Sequence, residues 1–261
     1  MRIALGLEFD GTSFHGWQSQ ADGGGVQDAL EGALSAIAGT RIAATAAGRT
    51  DAGVHATLQV AHFDTDANRP ETAWVRGANS LLPSAMAVRW AVVVPSEFHA
   101  RFSATGRHYT YLLLDRPVRP ALLAMRVGWY HRPLALGPMR EAAQALMGLH
   151  DFSAFRAAEC QAKTPVKTLD RLDIAREADM IRFDVHADAF LQHMVRNIVG
   201  TLVYVGNGRH PPSWVAEVLE SRDRSRAAPT FAAAGLYLTG IDYAPKWNLP
   251  STHQPVIIPR Q

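Results

Sequence analysis

The sequence has a single cysteine, Cys160, in 261 residues. One thiol excludes an internal disulfide, a zinc site made only of cysteines and a four-cysteine iron–sulfur cluster. Apolar runs are also short, since none approaches the roughly 18 to 20 residues that a membrane-spanning helix needs. The N-terminus contains acidic residues within its first ten positions, unlike a secretory signal. These absences predict a cytoplasmic protein with no membrane partner.

Charge of either sign is scarce. Charged residues make up 19% of the chain, and the formal net charge is only +2. Because 48% of the residues are hydrophobic, the composition predicts a folded protein and excludes a disordered one. The net charge by itself does not indicate an anionic partner.

Several motifs that identify enzyme classes are absent as well. The chain has no GxxxxGK[ST] phosphate loop, no GxGxxG after a strand, no HExxH and no GxSxG. Its histidines are scattered, and His186 and His193 lack the spacing of metal ligands. We therefore expect no metal site.

The hydrophobic pattern predicts two successive units of order β-α-β-β-α-β. In the first, strands are predicted at about 2–10, 41–47, 59–65 and 88–94, and helices at about 26–37 and 71–82. In the second, strands are predicted at about 108–114, 168–175, 180–186 and 236–243, and helices at about 138–147, 190–206 and, as an addition, 213–219. We predict an α+β fold of two tandem ferredoxin-like or RNA-recognition-like units with a largely antiparallel mixed sheet. One continuous α+β domain is the alternative.

The same pattern predicts domain boundaries. The N-terminal ferredoxin-like unit is placed at 1–104, and the C-terminal unit with the extra helix at 105–243. Four prolines follow within a short span, which excludes a helix or a central strand there. Residues 244–261 are therefore predicted to form an irregular surface tail.

The densest cluster of unusual residues runs from Gly48 to His55, between the second and third predicted strands. Its two glycines allow the backbone to turn sharply and to project Asp51 from a rigid base. A polar loop of this kind is typical of a catalytic site. The alternative is structural: Asp51 closes an Asx-turn, and Arg49 is its surface ion partner.

A second feature is basic. From position 101 to 132 the chain has six arginines and a single acid, Asp115, which gives this basic segment a net charge of +5. Tyr109 and Tyr111 lie within it, two residues apart on a predicted strand and therefore on one face. Arginines interleaved with aromatics suit nucleic-acid phosphates with bases stacked beside them. A solvated strand edge, and core packing of the two tyrosines, are the alternatives.

A third feature is Arg196, at the margin of the apolar stripe of the helix predicted at 190–206. A long side chain there either extends to water or points inward. An inward guanidinium needs a carboxylate, because an unpaired buried charge is costly. Asp51 is the candidate partner.

Taken together, these residues resemble the TruA family of tRNA pseudouridine synthases. The segment Gly48-Arg49-Thr50-Asp51-Ala52-Gly53-Val54-His55 is similar to the signature of that family. Five further blocks occur in the family's order: Asp10-Gly11 with Gly16-Trp17-Gln18, Phe98–Ala104, Asp151–Arg156, His193–Asn197 and Gly235–Leu238. The blocks span residues 10 to 238, nearly the whole chain.

The resemblance implies a pseudouridine synthase fold and an isomerase that converts uridine to pseudouridine in the anticodon stem-loop of tRNA. The implied targets are nucleotide positions 38, 39 and 40, reached by base flipping, with no metal and no cofactor. A homodimer that holds one tRNA between both subunits is implied as well.

The resemblance also implies roles for residues. Asp51 is the catalytic aspartate, Tyr109 lies against the target uracil, Arg196 pairs with Asp51, and Arg49 takes the place of the flipped base. Two segments are implied to contact tRNA: Phe98, His99, Ala100, Arg101 and Phe102, and then Glu159, Cys160, Gln161, Ala162 and Lys163. The loop at 19–25 departs from the expected pattern, because it has no basic residue.

The chemistry suits these residue types. The N1–C1′ bond must break, the uracil must rotate, and C5 must bond to C1′. A carboxylate can act as a nucleophile at C1′ or at C6, or as a base that removes a sugar proton, and these routes stay open. An RNA-binding module without activity, and a hydrolase that pairs Asp51 with a second carboxylate, are the alternative functions.

Overall fold

The computed structural model describes residues 1–256. The chain divides into two compact units, the first formed by residues 1–106 together with 237 onward, and the second by 107–236. The first unit therefore includes nearly all of the last strand and the segment that follows it. The sequence boundaries at 1–104, 105–243 and 244–261, taken as limits of domains, stay a prediction.

The structure has ten strands and five helices of α type among the described residues. In chain order they are β1 (Arg2–Phe9), α1 (Val26–Ala38), β2 (Ala44–Ala46), β3 (His55–Asp64), α2 (Ala78–Leu81), β4 (Met86–Val94), β5 (Ala104–Asp115), β6 (Gly128–Tyr130), α3 (Leu136–Ala143), β7 (Gly148–Asp151), β8 (Val166–Glu177), β9 (Met180–Ala187), α4 (Met194–Gly206), α5 (Ser213–Ser221) and β10 (Leu236–Tyr243). The predicted α+β class is confirmed.

In the first unit, β1 lies at the centre and is antiparallel to both β3 and β4. One edge of β3 is shared by two strands. The short β2 runs antiparallel to its C-terminal half, with Ala44 opposite Phe63, and β10 runs parallel to its N-terminal end, with Tyr237 opposite His55. The predicted β-α-β-β-α-β order of this unit is confirmed.

Helix α1 shows why the first unit folds as predicted. Val26, Leu30 and Leu34 recur at four-residue spacing, so they lie on one face, and all three are fully buried. The Asp28 carboxylate accepts a hydrogen bond from the Gly25 amide at 2.9 Å, which caps the first turn. The apolar periodicity and the N-terminal cap therefore both support a helix that begins at Val26.

The helix predicted at 71–82 is shorter and begins as a wider turn. A π-helical turn at Ala73–Gly77 precedes α2. Trp74 in that turn is fully buried, and its ring packs edge-on against Phe63 with the centroids 5.1 Å apart. The pattern of apolar residues locates the element but not this change of helix type, which accompanies burial of the indole.

In the second unit the strand order is β5-β9-β8-β7, with every neighbouring pair antiparallel, and β6 adds to β5 in parallel. The sheet is therefore largely antiparallel and mixed, as predicted. Strands β6 and β7 were not predicted, since segments of three and four residues are too short to show a period of two. Helix α4 begins at Met194 rather than near 190, after His193 adopts a left-handed φ of 63°.

The described part of the C-terminal segment, residues 244–256, is irregular apart from one 3-10 turn at Pro245–Trp247. It is tied to the first unit, because the Gln254 amide donates to Thr239 O at 2.8 Å and Trp90 Nε1 donates to Ser251 O at 3.1 Å. The rest of the tail predicted at 244–261 lies outside the described residues. Within the described part of the chain, no helix is long and apolar enough to cross a membrane.

The one acid of the basic segment is buried and paired. Asp115 accepts hydrogen bonds from both terminal nitrogens of Arg176 at 2.7 Å and from the Leu134 amide at 2.8 Å. Its side chain is 1% exposed. A bidentate, charge-assisted pair at that depth stabilises the end of β5.

We predict that Asp115→Asn lowers the free energy of unfolding by about 2 to 3 kcal/mol, because the charge that balances Arg176 is lost. Urea denaturation measures the change. Asp173→Asn is the control, since Asp173 pairs with Arg171 on the surface, where both side chains are more than half exposed. That exposed pair contributes about 0 to 1 kcal/mol. Equal effects of the two substitutions would contradict the prediction.

Candidate active site

The loop between β2 and β3, residues 47–54, carries Asp51. Four hydrogen bonds hold its backbone: Ala47 N to Val60 O (2.8 Å), Gln59 Nε2 to Gly48 O (2.8 Å), Trp17 N to Thr50 O (3.0 Å) and Val54 N to Asp51 O (3.1 Å). The loop is thus fixed at both ends and in the middle. The backbone carbonyl of Asp51 closes the turn, so the turn does not require an Asx-type bond from the carboxylate.

Two glycines permit the close approach that supports this loop. Gly16 has a φ of +92°, and a Cβ there would lie 2.7 Å from the Thr50 carbonyl oxygen. A Cβ on Gly11 would lie 2.0 Å from Val54 O. Larger residues would push the loop away. This packing gives a physical reason why the blocks around Gly11 and Gly16 accompany the Asp51 signature in one sequence.

Buried His55 supports the loop from the strand side. Its Nδ1 lies 3.0 Å from the Gly11 amide nitrogen and 3.1 Å from Asp10 Oδ1. The amide can only donate, so Nδ1 accepts this bond. The ring also stacks on Tyr237 of β10, with centroids 4.7 Å apart.

The three side chains at the centre of the loop differ in exposure. Arg49 is exposed, Thr50 is buried at 7% exposure, and Asp51 is half-buried. The Thr50 hydroxyl has no hydrogen-bond partner among the described residues. The loop therefore presents a carboxylate and a guanidinium from a rigid backbone, with a buried hydroxyl between them.

In the second unit, the two tyrosines that the sequence places on one face differ in burial. Tyr109 is half-buried and packs edge-on against Phe190, with centroids 5.1 Å apart. Tyr111 is fully buried, and its hydroxyl donates to Ala232 O at 2.7 Å. Burial raises the pKa of Tyr111 well above its ordinary value, so it stays protonated. Only Tyr109 retains an accessible part of its ring.

Arg196, on the first turn of α4, is tied to the segment before β10. Its Nε donates to Phe231 O at 2.9 Å, and the Phe231 amide donates to Arg196 O at 3.2 Å. The side chain is half-buried and does not simply extend to water. Arg196 lies in the second unit and Asp51 in the first, and their pairing stays a prediction.

Sequence reasoning missed the residue that organises this region, Asn197. It is fully buried, its Nδ2 donates to Phe155 O at 2.7 Å, and its Oδ1 accepts from Arg224 and Thr230. Burial lowers the pKa of Arg224. A polar residue at the centre of an otherwise apolar helix was the signal that could have located this network.

The predicted tRNA-contact segment at 98–102 is a rigid loop with two outward side chains. Phe98 and Ala100 are fully buried, so neither residue presents surface to an RNA. Arg101 is exposed and Phe102 is 77% exposed, with the Arg101 guanidinium over the Phe102 ring. The ring of His99, which is half-buried, packs against Phe102 at 4.3 Å.

Histidines hold this loop by accepting hydrogen bonds from its backbone. His62 Nδ1 accepts from the Ala100 amide at 3.2 Å, and His99 Nδ1 accepts from the Arg101 and Phe102 amides at 3.2 and 3.3 Å. Burial, with a smaller contribution from the charge of Arg2, lowers the pKa of His62 to about 4. The pKa of His99 is lowered for the same reasons. Both rings are therefore neutral near pH 7.

The predicted contact segment at 159–163 also contains both exposed and buried residues. Glu159, Gln161 and Lys163 are exposed, Ala162 is half-buried, and Cys160 is buried. The Gln192 amide donates to the Cys160 sulfur at 3.4 Å, and Arg156 donates to the Cys160 carbonyl. Cys160 acts here as a packed structural residue.

The arginines of the basic segment divide between the units, with Arg101 in the first and the other five in the second. Arg119, Arg126 and Arg132 are exposed, whereas Arg107 donates to Asp188 O at 2.9 Å. Because Asp115 is neutralised by Arg176, no exposed acid offsets these charges within 107–132. The second unit therefore presents a cationic segment that suits phosphates.

A family model described as tRNA pseudouridine synthase matches residues 7–103 and 142–244. The chain belongs to the tRNA pseudouridine synthase family. Relatives named tRNA pseudouridine synthase A include that of Chromobacterium violaceum, 61% identical over 96% of each chain, that of Dechloromonas aromatica, 60% identical over 96% of this chain and 95% of the relative, and that of Aromatoleum aromaticum, 58% identical over 100% of this chain and 98% of the relative.

The two matched segments contain most of the residues that are predicted to form the site. Asp51 lies in the first matched segment and Arg196 in the second, while Tyr109 lies between them. The resemblance that the sequence blocks indicate is therefore confirmed for the family. The roles of the individual residues stay predictions.

The lowered pKa of His62 predicts a pH dependence of stability. The unfolded histidine, with a pKa near 6.5, binds a proton on acidification, but the folded one does not until about pH 4. Stability contributed by the neutral ring is therefore lost as the pH falls below about 6.5. Between pH 7 and pH 5 we expect a loss of about 2 kcal/mol in the free energy of unfolding.

The measurement is urea denaturation at both pH values, for the unmodified protein and for His62→Asn. Asparagine offers an acceptor at the position of Nδ1 but does not titrate, so the variant should lose less stability on acidification. Titratable groups that do not interact with His62 contribute equally to both proteins. Identical pH dependences would show that His62 is protonated as readily in the folded as in the unfolded protein.

Proposed function

We propose that this chain isomerises uridine to pseudouridine in the anticodon stem-loop of tRNA, at nucleotide positions 38, 39 and 40, with Asp51 as the catalytic carboxylate. The observation that carries the proposal is the rigid loop at 47–54, which offers Asp51 and Arg49 from a fixed backbone. Membership of the tRNA pseudouridine synthase family supports the reaction and the tRNA substrate. The same membership disfavours a hydrolase and a binding module without activity.

The reaction exchanges one glycosidic bond for another. The N1–C1′ bond breaks, the freed uracil rotates, C5 bonds to C1′, the proton on C5 leaves for solvent, and N1 takes up a proton. Asp51 starts the exchange as a nucleophile at C1′ or C6, or as a base at the sugar. Because the reaction is internally balanced in atoms and electrons, we propose that it needs neither a metal nor a cofactor.

Base flipping supplies the access that the chemistry requires. A uridine stacked in the anticodon arm is out of reach, so it must leave the stack. Arg49 is exposed, planar at its end and two residues from Asp51, which suits it to fill the gap. We propose that Tyr109 stacks on the flipped uracil, and that Arg196 orients Asp51 and keeps it ionised.

Binding of the tRNA is proposed to use the exposed residues of the predicted contact segments. Arg101 and Phe102 combine a cation with a ring on a rigid loop, which suits a phosphate beside a base. Glu159, Gln161 and Lys163 form the second contact. A homodimer that holds one tRNA, and action in the cytoplasm where tRNA is found, belong to the same proposal.

We predict that Asp51→Asn folds and binds tRNA but loses turnover by at least about 10³-fold, because an amide is neither a nucleophile nor a base. Tritium release from tRNA labelled at C5 of uridine measures turnover, since only pseudouridine formation detaches that hydrogen without cutting the chain. Asp66→Asn, the same change at an exposed site beyond the far end of β3, is the control and should keep full activity. A tenth of normal turnover in Asp51→Asn would place the catalytic carboxylate elsewhere.

We predict that tRNA affinity falls steeply with salt, and that Arg101→Ala makes the dependence shallower. Each duplex phosphate contact contributes about 0.9 to the slope of log K against log salt, so one lost contact should reduce the slope by that amount. Arg89→Ala is the control, because it removes the same charge from β4. Arg89 is paired with Glu8 of β1, so its loss should leave the slope unchanged. A slope near zero in the unmodified protein would contradict the electrostatic proposal.

A further inference from the structure

The Thr50 hydroxyl is one of two buried side-chain polar atoms that have no hydrogen-bond partner among residues 1–256, the other being Trp74 Nε1. Thr50 directly precedes Asp51 in the loop, and it is 7% exposed. Buried hydroxyls are nearly always hydrogen-bonded, because removal from water without a partner is unfavourable. An unpaired one beside the proposed catalytic carboxylate therefore requires a reason.

The fold itself does not need this hydroxyl. The backbone carbonyl of Thr50 accepts from the Trp17 amide at 3.0 Å, and Gly16 packs against that carbonyl. These contacts would be the same for valine, which has the same branched shape and no polar group to bury. Folding alone would thus favour valine at position 50. A buried polar group that lacks a hydrogen bond at a candidate site is a sign of function.

We propose that Thr50 is a positioning residue, and that its hydroxyl donates a hydrogen bond to the Asp51 carboxylate when the flipped uridine occupies the site. This inference rests on the proposed role of Asp51. The Thr50 oxygen is shielded from solvent, so the side chain next to it is a better acceptor than an incoming RNA atom. Because the loop backbone is held at 47, 48, 50 and 54, we expect the bond to form by rotation of the two neighbouring side chains rather than by movement of the backbone.

Such a bond would hold the carboxylate in one orientation and favour its charged form. It would form only with substrate bound, so removal of the hydroxyl should affect the chemical step rather than folding or tRNA binding. This separates a positioning role from a structural one. A structural hydroxyl would show its effect in thermal stability.

The test compares Thr50→Val with Thr50→Ser by single-turnover tritium release, tRNA affinity and melting temperature. For Thr50→Val we expect a rate at least tenfold lower, an affinity within twofold of normal, and a melting temperature that is unchanged or higher. Thr50→Ser keeps the hydroxyl and should stay within threefold of the normal rate. Thr65→Val is the matched control. Thr65 is also 7% exposed, but its hydroxyl oxygen accepts from the Ala67 amide at 3.1 Å beyond the far end of β3.

The control should lower the melting temperature and leave the rate unchanged. A Thr50→Val rate within threefold of normal overturns the inference, and so does a loss confined to tRNA affinity. If Thr50→Val does not fold, Thr50→Ala and Thr50→Ser replace it, since both lack the methyl group and differ only in the hydroxyl. Equal rates for that pair overturn the inference. If Asp51→Asn is inactive in the same assay, the proposed role of Asp51 is supported whatever the result for Thr50. If Asp51→Asn is active, the proposed roles of both Asp51 and Thr50 are wrong.

Discussion

The contact between the Thr50 carbonyl and the Trp17 amide is the constraint on which the candidate site depends. It brings the segment after β1 under the loop before β3, and only a glycine at 16, with its left-handed φ, fits against that carbonyl. The loop consequently owes its position to a second segment distant in sequence. Asp51 is half-buried, and its backbone carbonyl accepts from the Val54 amide at 3.1 Å, which fixes the backbone from which the carboxylate projects.

The second unit uses a side chain for the same purpose. Buried Asn197 joins three stretches of chain through its amide: Phe155, Arg224 and Thr230. The neighbouring Arg196 is then fixed by Phe231, which exchanges hydrogen bonds with both its side chain and its backbone. Each unit thus fixes the backbone of a residue proposed for chemistry through hydrogen bonds to segments distant in sequence.

Element order was predictable from the sequence because apolar residues recur at periods of two and about four. The strand boundaries and short strands that the pattern could not predict are determined by contacts between residues distant in sequence. Strand β3 begins at His55 rather than near 59, since β10 pairs with its first residues. Strands β6 and β7 exist only as additions to longer neighbours. The signature around Asp51 located the loop, but not the buried state of Thr50, which follows from packing.

Histidine chemistry in the first unit was also beyond sequence reasoning, because a scattered histidine gives no sign of its partner. His62 and His99 accept from backbone amides of the loop at 98–102 through Nδ1, and His55 accepts in the same way from Gly11, which packs against Val54 of the Asp51 loop. An imidazole can accept in this way only while that nitrogen is unprotonated. The same neutral form therefore supports both the Asp51 loop and the Arg101 loop. Because burial lowers the pKa values of His62 and His99, both rings keep this acceptor near pH 7, and protonation in acid would remove it from the Arg101 loop.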